Sequence, residues 1–206
     1  MVGAAGTPNR GGYWMIGADG GVFSFGNAHF YGSTGGIRLA QPVNAIAPTH
    51  SGKGYWLLAW DGGVFSFGDA KFFGSTGAMH LNFPVDGMAT TKSGNGYWLV
   101  ASDGGVFSFG DAHFYGSTGA IRLNSPIVAM APSPTGKGYW MVASDGGVFT
   151  FGDAHFYGAL ASFHPPSPTV GLVPTKTGKG YWITSADGNV YGFGDAHTAS
   201  CVTAMP

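Results

Sequence analysis

The stretch Gly96-Tyr97-Trp98-Leu99-Val100-Ala101-Ser102-Asp103-Gly104-Gly105-Val106-Phe107-Ser108-Phe109-Gly110-Asp111-Ala112-His113-Phe114-Tyr115-Gly116 decides the fold. Gly96 to Ala101 is a β-prone run. Asp103-Gly104 follows, a pair that tolerates the positive φ of a tight hairpin turn. Val106 to Phe109 is the next strand, with Phe107 and Phe109 on one face because side chains alternate across a sheet. Asp111-Ala112 turns the chain again, into a fourth β-prone run, His113 to Gly116. Upstream, Pro84 to Thr91 supplies a short strand of small and apolar residues.

This pattern recurs with a fixed period. Tryptophan stands at Trp14, Trp56, Trp98, Trp140 and Trp182, a constant step of 42. Asp19, Asp61, Asp103, Asp145 and Asp187 keep the step, as do Asn27, Asp69, Asp111, Asp153 and Asp195. A period near 40 residues marks a propeller or a solenoid. The expectation is one all-β domain over residues 1–206, a five-bladed β-propeller with four antiparallel strands per blade. Its blades run approximately over 1–41, 42–83, 84–125, 126–167 and 168–206. A solenoid needs atypical capping units, which near-uniform copies do not supply. The strand of small residues (Val43–Ala47, Val85–Ala89, Ile127–Ala131) is expected innermost, where space near an axis is tightest. Each blade is then contiguous in sequence, and closure rests on blade 5 meeting blade 1. In the alternative frame, residues 1–8 complete blade 5 as a clasp. No segment carries a helical period, and glycine, 38 residues in all, is too frequent for helix interiors.

Composition narrows the function. Charged residues are 9% of the chain and the formal net charge is −1, so the electrostatic footprint of a nucleic-acid binder is missing. No apolar run reaches the roughly 18 residues of a membrane span. Residues at the start lack the basic and apolar regions of a signal peptide. If the protein is exported, this chain is a mature form or an excised domain. All ten carboxylates are aspartates, and Cys201 is alone, so no intrachain disulfide framework is expected.

The string Gly96 to Gly119 resembles a tandem repeat of secreted actinobacterial proteins that accompanies cell-wall amidase, peptidase or esterase modules. The likeness covers nearly the whole chain and weakens after Phe193. It implies a secreted or cell-surface accessory module and carries no catalytic residues. The fivefold plan is also similar to tachylectin-type sugar-binding propellers, a likeness of architecture only.

The repeated Tyr-Trp pairs fit core packing between blades better than sugar platforms. Asp-Gly-Gly turns supply one carboxylate each, too few oxygens for a calcium loop. The Asp-Ala-His turns hold one carboxylate and one imidazole, but Asn27 and Lys71 break the set. No metal or other cofactor is expected. Residues that depart from the repeat say more, because duplication does not explain them. Trp60 stands where the other units have Ala18, Ser102, Ser144 and Ala186, and Phe83 replaces Gln41, Ser125 and Ser167. Both belong on one rim, as an aromatic pair of the kind that stacks on a sugar or anchors a protein contact. The same rim carries Arg38, His80, Arg122 and His164, donors suited to an anionic or hydroxyl-rich ligand. Asp86, opposite Asn44 in the repeat, is the one aspartate outside the turns. A lone carboxylate cannot serve as both acid and base of a glycoside hydrolase. The expected role is therefore non-catalytic: recognition of a glycan or cell-wall polysaccharide through Trp60, Phe83, Arg38, His80, Arg122, His164 and Asp86. The alternative is a structural or protein-interaction scaffold beside a cell-wall enzyme.

Overall fold

The computed structural model describes residues 1–163 and 165–197. Its fifteen strands form five antiparallel three-stranded sheets, one per repeat. β1 (Gly3–Gly6), β2 (Gly12–Ile16) and β3 (Val22–Gly26) make the first, and β4 (Val43–Pro48), β5 (Gly54–Ala59) and β6 (Val64–Gly68) the second. The third holds β7 (Val85–Thr90), β8 (Gly96–Ala101) and β9 (Val106–Gly110). β10 (Ile127–Pro132), β11 (Gly138–Ala143) and β12 (Val148–Gly152) form the fourth, and β13 (Thr169–Pro174), β14 (Gly180–Ser185) and β15 (Val190–Gly194) the fifth. A single 3-10 turn, Ala161–Phe163, is the only helical element among the described residues. The small-residue strand opens each sheet, and β1 pairs with β2 of its own unit, Ala5 opposite Trp14. Units are thus contiguous in sequence, and β1 is not a clasp on the fifth.

Cross-strand partners give each sheet two different faces. In the third sheet Ala89 and Ser108 flank Trp98, and Val100 pairs with Val106 on the same side. On the reverse side Tyr97 pairs with Phe109, and Leu99 with both Met88 and Phe107. The tryptophan face of one unit packs on the tyrosine face of the next. Trp14 meets Tyr55, Trp56 meets Tyr97, Trp98 meets Tyr139 and Trp140 meets Tyr181, with ring centroids 5.6–5.9 Å apart. Small residues beside each indole leave room for the neighbour's phenol ring. Four hydrophobic cores result, each lying between two units rather than within one.

The expected fourth strand is not part of the sheet. After Asp111 the segment His113 to Gly116 runs outside strand pairing because side chains satisfy its backbone. The Trp98 indole N–H donates to the His113 carbonyl at 2.8 Å. From the following unit, the Tyr139 hydroxyl accepts the Tyr115 N–H at 3.2 Å and donates to the Gly116 carbonyl. The same stitch joins Tyr55 to Tyr31 and Gly32, Tyr97 to Phe73 and Gly74, and Tyr181 to Tyr157 and Gly158. Burial raises these phenol pKa values while the backbone bonds oppose it, as expected for hydroxyls held inside an interface.

At one rim the second-turn aspartate accepts two hydroxyls. Thr91 donates to Asp111 at 2.8 Å and Ser93 to its other oxygen. Asp69 takes Thr49 and Ser51, Asp153 takes Ser133 and Thr135, and Asp195 takes Thr175 and Thr177. These carboxylates are staples across a loop, not halves of Asp–His pairs. At Asp153 burial pushes the carboxyl up, but the Thr135 and Ser133 bonds, with Lys137 nearby, bring it below its ordinary value. At Asp195 the Thr177 bond leads, and the direction is again down. A depressed carboxylate contributes stability above its unfolded value and loses it as pH falls through the folded one. Melting temperature is therefore expected to decline from about pH 5 downward. Changing Asp153 and Asp195 to Asn should flatten that decline, and an equally steep curve in the double variant would remove the staples as its source.

Successive first strands lie side by side, β1 by β4, β4 by β7, β7 by β10 and β10 by β13. No described strand of the first unit touches one of the fifth, so the expected meeting of blade 5 with blade 1 is not seen. Every junction repeats one step, and the four junctions bring no described strand of the fifth sheet against the first. Tyr13 is consequently 46% exposed where Tyr55, Tyr97, Tyr139 and Tyr181 are at 0%.

Candidate functional site

Trp60 is placed by its own backbone. Its N–H donates to the Pro42 carbonyl at 3.1 Å, and its carbonyl accepts the Val85 N–H at 2.8 Å. One residue thus ties the link entering its unit to the first strand of the next. The turn beside it is fixed in three ways. The Gly63 N–H reaches the Asp61 carboxylate at 2.9 Å, the Thr76 hydroxyl donates to the Asp61 carbonyl, and the Met79 N–H returns to Thr76. Thr76 is fully buried, so the link from Met79 to Pro84 is held down at its start. The side chain of Trp60, free of these duties, stands half-exposed on the rim.

A cavity of about 400 Å³ opens there. Trp60 and Phe83 form apolar walls, and Asp61, His80, Gln41 and Asn82 bring polar groups to the rest. Trp60, Phe83 and His80, which the sequence analysis placed on one rim, all line this cavity. A neighbouring cavity of about 460 Å³ is lined by Phe83, Asp103, Ile121 and Arg122. Smaller equivalents lie at Asp19 and Gln41 in the first unit and at Asp145 and Ser167 in the fourth. Gln41, Phe83 and Ser125 are each shared by two neighbouring cavities, so the grooves adjoin along the rim.

Other candidate residues fall elsewhere. Arg38 is exposed on the link of the first unit but lines none of these cavities, and His164 lies outside the described residues. Asp86 sits at a register shift between Val85 and Gly87, where a bulge re-aims the side chain. Its carboxylate accepts the Ser102 hydroxyl within its own unit. Burial raises its pKa, and that hydrogen bond opposes the rise. Asn44, its counterpart, donates to the Val85 carbonyl at 2.7 Å, crossing to the next sheet.

Sequence reasoning missed Asp61 and Gln41 as cavity residues. Asp61 had a sufficient role in the turn, yet adjacency to Trp60 was the available signal. It also missed a row of phenylalanines, Phe30, Phe72, Phe114 and Phe156, each more than half exposed on the outer segments. Their constant spacing was visible, but the fourth-strand assignment hid their exposure.

Fold and site define an all-β tandem-repeat protein with a repeated groove along one rim. No protein-family model and no curated protein matches the chain. Among solved structures it is similar to a structural genomics protein of unknown function from Bacteroides thetaiotaomicron VPI-5482. The two are 12% identical with a TM-score of 0.60, over 90% of this chain and 52% of that one. At that identity the likeness concerns the fold alone, and this chain spans about half the other's length.

Proposed function

We propose that the five sheets are successive blades of a β-propeller and that the rim cavity at Trp60 is a non-catalytic carbohydrate site. The observation that carries this reading is the meeting of Trp60 and Phe83 with Asp61, His80 and Gln41 around one cavity of about 400 Å³. A pyranose has an apolar face of C–H groups and an equatorial ring of hydroxyls. Aromatic walls take the first, and a carboxylate, an imidazole and an amide take the second. In the second cavity Arg122 beside Phe83 suits a sugar bearing a carboxylate, as in cell-wall glycans. This role accords with a secreted or cell-surface accessory module. Glycan-array and insoluble-peptidoglycan binding should give signal with the native chain, and Trp60→Ala should weaken it by roughly thirty-fold, about 2 kcal/mol for a central aromatic contact. Circular dichroism should show the variant folded, because Trp60 is half-exposed. A folded native chain that binds no glycan would overturn the reading.

One observation favours a second reading, a platform for a protein partner. The exposed row Phe30, Phe72, Phe114 and Phe156 repeats one apolar contact at equal intervals along the outer edge. A multivalent protein surface could engage several of these rings together.

A further inference from the structure

A formal net charge of −1 conceals a separation of charge between the two rims. In every sheet the first hairpin and the turn after the third strand lie at one end of the strands, while the Asp-Gly turn and the link to the next unit lie at the other. All six lysines and Arg10 fall at the first end, out of nine Lys and Arg in the chain. Against Asp69, Asp111, Asp153 and Asp195 these seven cations leave that rim at +3. The rim of Trp60 sets five turn aspartates against Arg38 and Arg122, which is −3, and Asp86 completes the total. All seven cations are exposed, and Lys53, Lys71, Lys92 and Lys137 belong to the second, third and fourth units, flanked on both sides by described sheets.

The cations form one track because the loops that bear them adjoin. A Cβ added to Gly52 would lie 3.1 Å from Pro8 of the preceding loop, and one at Gly94 would lie 3.3 Å from His50. At Gly136 the distance is 3.5 Å to Lys92, and at Gly178 it is 3.0 Å to Pro134. The lysine that closes a loop has its backbone held on both sides. The Lys53 N–H donates to Ser51 and the Lys53 carbonyl accepts the Asp69 N–H, and Lys137 does the same with Thr135 and Asp153. The same Ser51 and Thr135 hydroxyls donate to those aspartates, so the carboxylates are engaged within the loops while the lysine side chains stay in solvent. One exposed lysine facing one anion gains little in water, whereas a row of them gains through the many contacts of a single polymer. The loop tips, residues 7–11, 49–53, 91–95, 133–137 and 175–179, carry no Leu, Ile, Val, Met, Phe, Tyr or Trp. A bilayer finds nothing there to insert, and nucleic-acid bases find no ring of that kind to stack on. Lysine is a compact point charge without the planar fork of arginine, so it answers to charge density rather than to carboxylate shape. We infer that this rim binds a linear, soluble polymer of closely spaced phosphate groups. The site is separate from the Trp60 cavity and does not depend on the carbohydrate reading.

Fluorescence anisotropy with labelled long-chain inorganic polyphosphate, over a salt series, tests this on the full chain. Binding is expected at low salt, should weaken steeply as salt rises, and should be tighter per phosphate than binding of tripolyphosphate. Lys53→Gln, Lys92→Gln and Lys137→Gln combined should weaken it about a hundred-fold, roughly five-fold for each lysine, and lower the salt slope by about three. Ala40→Glu, Ala78→Glu and Ala186→Glu combined change the net charge equally on the other rim and should leave most of the affinity. All six positions are exposed, and circular dichroism should show both triple variants folded. A native chain that binds no polyphosphate at low salt overturns the proposal, as do equal losses in the two triple variants. Tighter binding to a thymidine oligonucleotide, to polyglutamate or to vesicles of anionic lipid also overturns it.

Discussion

Trp98→Ala is expected to lower the stability of the chain by about 3–5 kcal/mol, the range for deleting a large buried ring. The effect has two sources. The indole fills the space between Ala89, Ser108 and the facing Tyr139, and its removal leaves a cavity at the junction of the third and fourth units. It also deprives the His113 carbonyl of its donor, which frees the outer segment that the expected fourth strand would have occupied. Trp182→Ala should cost clearly less, because that indole is only partly buried. Urea unfolding of the two variants side by side makes the comparison. Equal losses would mean that the junctions are not where the stability lies.

Gly104→Ala is the second large effect. Gly104 has φ of +77°, and a Cβ there would overlap the Thr118 hydroxyl and press on Ile127. Thr118 is buried and donates to the Asp103 carbonyl, so it cannot swing aside without losing the bond that holds the link over the turn. Left-handed strain of about 1–2 kcal/mol is therefore joined by a steric clash inside a buried contact. Gly188→Ala supplies the control: φ is +86°, yet nothing lies within 4 Å of the added Cβ. It should show the strain without the clash, and thermal melts of both variants separate the two contributions. A Gly188 variant as unstable as the Gly104 variant would leave backbone strain as the whole cause.

Much of this architecture is legible in the residues, for identifiable reasons. Period, turn chemistry and alternation are local, so the constant tryptophan step and the Asp-Gly turns locate the five sheets and three of the four expected strands. The pairing of Ala5 with Trp14 settles the frame that the sequence left with two readings. His113 to Gly116 was misread because its backbone partners are Trp98 and Tyr139, far away in sequence, and β-propensity carries no record of them. Ring closure could not be read either, since every junction uses the same residues whether the array is an arc or a circle. The same limit applies to the site. Trp60 and Phe83 stand out as exceptions to the repeat and do share a cavity, whereas Asp61 is common to all units and becomes distinctive only through its neighbour.

The phenol stitch gives the molecule a direction of assembly. Tyr55, Tyr97, Tyr139 and Tyr181 each fasten the outer edge of the unit made before their own. During synthesis, which runs from the amino end, the most recently completed unit always has an unfastened border until the following tyrosine has left the ribosome. Each newcomer finishes its predecessor, and the growing chain carries one unfinished border at a time rather than five.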